Sequence, residues 1–343
     1  MTAIRKSSED CRTYIIENIE KYPVDIAKKL AEKFKISRQA ANRHIQNLVV
    51  ENVLSFTGNA RIRTYTLVPQ VNVYKDYLLS DKPREDEVWL QDFRPHLIGL
   101  PDNVLNIWSY CFTEMFNNVI DHSQANMVRV RLIKSAASTQ ISITDNGVGI
   151  FKKIQQQLNL LDERHSVLEL AKGKFTTDPK NHSGEGIFFS SRACDVYAIL
   201  AGGVYFTHQI ERGEDWIFEA KKVEQGTAVL MRLKNHTARK LKKIFDEFAD
   251  VDYGFQKTVV PVALAQYGDE VVVSRSQAKR LLNRIDKFKI VILDFKGVDM
   301  VGQSFADEIF RVFATQHPDI ALLETNANKD ILNMISRARQ VNL

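Results

Sequence analysis

The sequence predicts a multidomain α/β (α+β) chain, and three observations carry that reading. Residues 8–68 look like three short helices followed by a basic hairpin, and residues 1–70 hold the whole of the chain's charge excess. A middle block, 95–245, runs from a long amphipathic helix into strands interrupted by acid-glycine motifs. The last block, 246–343, alternates strand and helix three times. With 343 residues, the length suits two to three domains of about 150 residues each.

Composition narrows the classes. Apolar residues at 44% and charged residues at 26% are ordinary for a globular protein and exclude collagen-like, coiled-coil or disordered chains. No apolar run approaches the roughly 20 residues a bilayer span needs, so no membrane partner is expected. The opening residues MTAIRKSSED lack the apolar stretch of a secretory signal. Cys11, Cys111 and Cys194 are far apart and odd in number, so they form neither a disulfide frame nor a paired metal motif. A reducing, cytoplasmic setting is expected.

Residues 1–70 carry twelve Lys and Arg against seven Asp and Glu, an excess equal to the +5 of the whole chain. A localised basic module suits a polyanionic partner. Tyr14, Ile15, Ile19 and Tyr22 have helical spacing over Ser8–Tyr22, which Pro23 ends. Asp25 is expected to cap a second helix through Ile26, Leu30 and Phe34, and Ser37 a third from Arg38 to about Glu51. Val53–Phe56 and Arg61–Leu67 flank a turn and read as a hairpin. The pattern over 8–68 resembles a winged helix-turn-helix. That resemblance implies double-stranded DNA contacts from Ser37, Arg38, Gln39, Asn42 and Arg43 at the start of the third helix. It also implies backbone or minor-groove contacts from Arg61 and Arg63 on the wing. Residues 71–94, which include the polar run SDKPREDE, read as a linker.

A long helix is expected from Pro101-Asp102 to about His122, its apolar arc formed by Ile107, Trp108, Cys111, Phe112, Met115 and Val119. Beside the arc runs a polar stripe of Glu114, Asn118, Asp121 and His122. Polar groups bordering a buried face are costly unless something polar binds them. Strands Val128–Ile133 and Thr139–Thr144 follow, and the second leads into Asp145-Asn146-Gly147-Val148-Gly149-Ile150. An acid leaving a strand ahead of two glycines lets backbone approach a ligand while the carboxylate accepts a hydrogen bond. Ser183-Gly184-Glu185-Gly186-Ile187 opens another helix, exposing backbone N–H groups suited to an anion. Further strands, near Val196–Leu200, Val204–Gln209 and Trp216–Ala220, precede Gly226-Thr227, which leads the last strand of the block.

ExxxN on a helix, DxGxG after a strand, GxG opening a helix and GT before a strand together resemble the Bergerat ATP-binding fold. This is the fold of the gyrase, heat-shock chaperone, histidine kinase and mismatch-repair (GHKL) superfamily, and the resemblance covers roughly 95–234. No GKS or GKT follows the glycines, which separates them from a Walker loop. The resemblance implies ATP with Mg²⁺, the ion held at Asn118, and Asp145 accepting from the adenine amino group. Gly149 would line the base pocket, Thr227 would hold adenine through water, and Gly184 and Gly186 would give N–H groups to the phosphates. Glu114 stands at the general-base position. Asp121, His122, Gly147, Ile150, Glu185 and Ile187, which flank those positions, join the expected nucleotide contacts. Residues Phe151 to His182 would form a polar, mobile lid, with Lys172, Lys174, Lys180, His182 and Ser183 as candidate phosphate contacts.

In the last block, Val259–Gln266 and Glu270–Val273 read as strands, and Ser274 as the cap of a helix through Leu281, Leu282 and Ile285. The run Ile290–Phe295 reads as a strand buried on both faces. A helix from Ser304 to Thr315, a strand Ile320–Leu323 and a helix through Ile331, Met334 and Ile335 complete it. The segment ILDFKGVDMVGQSFADEIF resembles STAS domains, the fold of anti-sigma factor antagonists. Those usually carry Asp-Ser where this chain has Gly302-Gln303-Ser304, so the resemblance implies a docking or dimer module more than a phosphorylated switch. The combined expectation is an ATP-responsive DNA-binding transcriptional regulator, homodimeric, with a regulatory protein partner at its C-terminal module. An anti-sigma-type protein-serine kinase or weak ATPase, in nucleic-acid sensing or defence, is the alternative.

Overall fold

The computed structural model describes residues 2–59, 62–175, 184–211, 214–250, 254–265 and 272–340. Three helices come first: α1 (Thr2–Asn18), α2 (Ile26–Phe34) and α3 (Arg38–Val50). They enclose Ile15, Ile19, Ile26, Leu30, Ala41, Ile45 and Leu48. Helix α1 stops four residues short of the expected Tyr22, where the N–H groups of Lys21 and Tyr22 both turn back to the Asn18 carbonyl. Asp25 makes no side-chain capping bond. Ser37 does cap α3, its hydroxyl accepting from Ala40 N at 3.1 Å. Strands β1 (Leu54–Gly58) and β2 (Arg63–Leu67) form the antiparallel hairpin.

The expected linker is corrected. Residues Val71–Leu78 form strand β3, paired antiparallel along its full length with β4 (Met127–Lys134). After β3 a 3₁₀ turn and the short helix α4 (Glu85–Val88) lead into a π turn that buries Trp89 and Phe93 in the core. The long helix is α5 (Asp102–His122), and β5 (Ser138–Asp145) pairs with β4. Two helices come next, α6 (Ile150–Leu158) and α7 (Glu163–Lys172), then α8 (Gly186–Ala193). Two long strands, β6 (Val196–Gln209) and β7 (Glu214–Lys234), replace the four short ones expected. An irregularity in their register at Ala201–Val204 absorbs the Gly202-Gly203 pair without ending the strand. The sheet order is β3-β4-β5-β7-β6, antiparallel throughout. One face is apolar, with Val128, Val130 and Leu132 buried, and the other is polar, with Arg129 forked onto Asp76 at 2.6 and 2.7 Å.

Helix α9 (Leu241–Phe248) and the two-residue strands β8 (Ala249–Asp250) and β9 (Gly254–Phe255) lead to the C-terminal module. Its parallel sheet has the order β10 (Lys257–Pro261), β11 (Ile290–Asp294), β12 (Ala321–Thr325). Between these lie α10 (Arg275–Leu282), α11 (Gln303–Asp307) and α12 (Ala314–Gln316), the last two joined through a π turn, and α13 (Lys329–Gln340) closes the chain of elements. Ser274 caps α10 in a full capping box with Gln277. The apolar run contains the central strand β11, although only alternate residues, Val291, Leu293 and Phe295, are fully buried. The strand expected over Val259–Gln266 ends at Pro261 in a 3₁₀ turn, and of the one expected at Glu270–Val273 only a bridge from Val272 to Val301 lies among the described residues. One continuous core runs from Val88 to Ala338 and includes both the middle block and this module. At their junction Phe188 and Phe255 pack 4.6 Å apart, and Phe255 meets Phe288 at 5.4 Å. The N-terminal helices keep a core of their own.

Candidate functional site

Helix α5 buries Trp108, Phe112, Met115 and Phe116 on one arc. Glu114, Asn118 and His122 follow at four-residue steps, so they form a row along the edge of that arc. All three line a cavity of about 270 Å³ between α5, the start of α6, the start of α8 and the sheet. Asp121 is off the row and exposed, and it does not line the cavity.

Strand β5 brings Asp145 to the cavity floor, almost fully buried. Its Oδ1 accepts from Gly147 N at 2.8 Å and from Thr227 N at 3.3 Å. Burial raises the carboxyl above its ordinary value, and those N–H donors oppose the rise. The Thr227 hydroxyl in turn accepts from Ile150 N at 3.0 Å, tying α6 to β7. Gly149, at φ +90°, and Ile150 and Thr227 all line the cavity. Gly147 lies behind the wall, where a side chain would run into the Ser123 carbonyl. Gly226, at φ +87°, approaches the Asp145 carbonyl as closely, so a side chain there would run into the backbone of the residue that carries the carboxylate.

Gly184, Glu185, Gly186 and Ile187, at the start of α8, form another part of the wall. A methyl group at Gly186 would collide with the Glu114 carboxylate, so glycine is what lets the helix start sit against that acid. Lys153, one turn into α6, also lines the cavity and donates to the His122 carbonyl at 2.6 Å. Burial pulls its ammonium below the ordinary lysine value. Neither Lys153 nor Phe175, another cavity residue, was singled out from sequence. Phe175 is the one aromatic in the polar run KGKFTTDPK, which is the signal that could have marked it.

The expected lid is corrected in its described part. Helices α6 and α7 are packed, and every residue from His165 to Lys172 is buried. Lys172 is no phosphate contact. It is 1% exposed, and its ammonium donates to Glu169 Oε1 at 2.7 Å and to the carbonyls of Arg280 and Asn283 at 3.1 and 2.7 Å. Burial pushes that ammonium down to about 8 against the attraction of Glu169. Lys174 is also turned away, donating to the Lys287 carbonyl at 2.9 Å with its ammonium 4.8 Å from the Phe288 ring centre. Lys180, His182 and Ser183 lie outside the described residues.

A second set of expected residues lies about the N-terminal helices. Ser37, Arg38, Gln39, Asn42 and Arg43 are all exposed, on the first turns of α3. Arg63 lies on β2 with its guanidinium 4.5 Å from the centre of the Phe56 ring on β1. Arg61 lies outside the described residues. Among the described residues no cluster of His, Cys, Asp and Glu could hold a metal alone, and no helix is long and apolar enough to cross a membrane.

No curated protein matches the chain. Two family models match parts of it. Residues 107–237 match the histidine kinase-, DNA gyrase B-, and HSP90-like ATPase model, and residues 277–332 match a STAS-like domain of unknown function (DUF4325). All the residues that line the cavity fall within the first match, so the chain carries an ATPase-type domain of the GHKL class followed by a STAS-like one.

Proposed function

We propose that the cavity binds ATP with Mg²⁺ and that the nucleotide controls DNA binding by the N-terminal module. The observation that carries the nucleotide reading is the pairing of a buried acceptor with a glycine wall. Asp145 is a desolvated carboxylate held in place by two backbone donors. In the same cavity Gly184 and Gly186 bring backbone where any side chain would collide. The first suits an exocyclic amino group of a base, the second a chain of phosphates. The donor set also fits the ion: Mg²⁺ keeps most of its shell for water and phosphate oxygens, so Asn118 can serve it without a protein cage. ATP would supply the phosphate anhydride; this chain's own residues bind and orient it. Glu114, set against the helix start at Gly186, can orient a water or a hydroxyl. That position favours the second reading, a serine kinase or slow ATPase.

The DNA reading rests on the exposed face of α3, polar and basic at its start, and on the arginine-bearing hairpin beside it. Winged helix-turn-helix modules commonly act in pairs, so a homodimer is part of the proposal, with the STAS-like module receiving a regulatory protein. Three reduced, buried cysteines suit the cytoplasm.

Incubation with ATP labelled at the γ-phosphate separates the readings. Free phosphate identifies an ATPase, labelled protein a kinase, and binding without either a nucleotide switch. A DNA titration with no nucleotide, with ADP and with a non-hydrolysable analogue tests the coupling. Identical affinities in all three would refute it.

A further inference from the structure

We infer that Arg284, carried by the C-terminal module, positions the wall of the nucleotide pocket, so that this module is a working part of the site. The inference rests on the reading of the cavity as an ATP site and adds a residue to it from outside the ATPase domain.

Phe175 lines the cavity, and its backbone closes on the glycine loop so tightly that a methyl at Gly184 would run into it. The chain reaches Phe175 through a sharp reversal, with Gly173 at φ +82° and Lys174 at +52°. Such a segment needs external support to hold one conformation. Arg284 supplies it at three points. Its Nη1 donates to Glu169 Oε2 at 3.0 Å, its Nη2 to the Lys174 carbonyl at 2.6 Å, and its guanidinium lies 4.9 Å from the Phe175 ring centre. One planar group therefore fixes the end of α7, the reversal after it and the ring that faces the cavity.

Arg284 is itself fixed. Glu169, 2% exposed, also accepts from Lys172 and from Asn283, the latter at 3.2 Å. Among the described residues, the acceptors of the Lys172 ammonium outside its own helix are carbonyls of the C-terminal module. An apolar plug of similar volume would hold two modules together at least as well as these buried charges. What the charges add is direction: a guanidinium fork holds its acceptors in one plane, which apolar packing and a lysine cannot do.

The test uses the full chain and calorimetry with two probes, ATP·Mg²⁺ and adenosine. Phe175 packs on the glycine loop at Gly184, the part of the site read as holding the phosphates, so loss of Arg284 should act on the phosphate end alone. Arg284→Ala should weaken ATP about tenfold, the scale of a charged hydrogen bond, and leave adenosine unchanged. Arg284→Lys keeps a charge on Glu169 and so protects the fold, but it cannot also hold the Lys174 carbonyl and the ring. It should melt like wild type and still weaken ATP several-fold. Phe175→Ala, which leaves every buried charge in place, should show the same selective loss. Arg284 variants that bind ATP as wild type does, or that lose ATP and adenosine equally, would overturn the inference, since the second pattern is that of a purely structural residue. A wild-type chain that binds neither probe would remove the reading of the site, and the inference with it.

Discussion

The two modules that flank the ATPase domain are attached in opposite ways. The N-terminal helices and hairpin have their own core, to which the rest of the chain adds Ala136. A surface ion pair from Arg232 to Glu20 at 2.9 Å spans the same junction. The C-terminal module has no separate core; its apolar residues continue those of the sheet and α8. Its loop also accepts and donates the hydrogen bonds of two buried charges on α7. A module with a private core can move or be removed as a unit. A module that shares a core can act on its neighbour only through small rearrangements, because close-packed interiors do not deform freely.

The largest effects should come from breaking the shared side. A chain ending after residue 250 should fail to melt cooperatively, whereas a chain starting at residue 69 should keep a single transition and bind ATP. Calorimetric melting of the two truncations checks this, and a cooperative transition in the first would contradict a common core. Glu169→Ala, which strands Lys172 and Arg284 without their anion, should cost about 3–5 kcal/mol in urea unfolding.

A smaller effect is expected inside the pocket. Asp145→Asn should lose about 1–3 kcal/mol of ATP affinity, measured by calorimetry, with melting little changed. The pH dependence has a definite sign. Burial raises the Asp145 pKa, so the carboxylate that accepts from a base is lost at a higher pH than usual as solution is acidified. ATP affinity should fall through that window in wild type and stay flat in Asp145→Asn. The stability of the unliganded protein should run the other way. A carboxyl with a raised folded pKa favours the folded state at low pH, and that contribution is lost as pH rises through the folded value. The smallest effect belongs to the N-terminal junction. Glu20→Ala removes a half-exposed pair and should shift stability by less than about 1 kcal/mol. A larger change would show that the N-terminal module is also locked to the sheet.

How far the sequence could be read depends on the distance between partners. The row Glu114, Asn118, His122 and the acid-glycine turn at Asp145 were legible because each is set by neighbours within a few residues. So was the Ser37 cap. Strand β3 was missed although Val71, Val73 and Tyr77 alternate with polar residues and pack against the core. The charged run after it dominated the composition, and an edge strand with one wet face looks much like a polar connector. Lys172 and Lys174 were misread for a different reason. A lysine near glycines suits a phosphate equally well, and the groups that claim Lys172 lie 108 and 111 residues further along the chain.

That same separation has a consequence for synthesis. Chains emerge at roughly 5–20 residues per second, so on the order of ten seconds pass between the emergence of Lys172 and that of Asn283. During that interval α7 has no partner for its charges, and the sheet lacks part of its cover. The N-terminal helices, whose buried core residues are all made by residue 65, can fold as soon as they leave the ribosome. The nucleotide pocket is therefore among the last parts of the molecule to be finished, and nascent chains halted before the C-terminal loop should be found as chaperone clients with a folded head and an unfinished body.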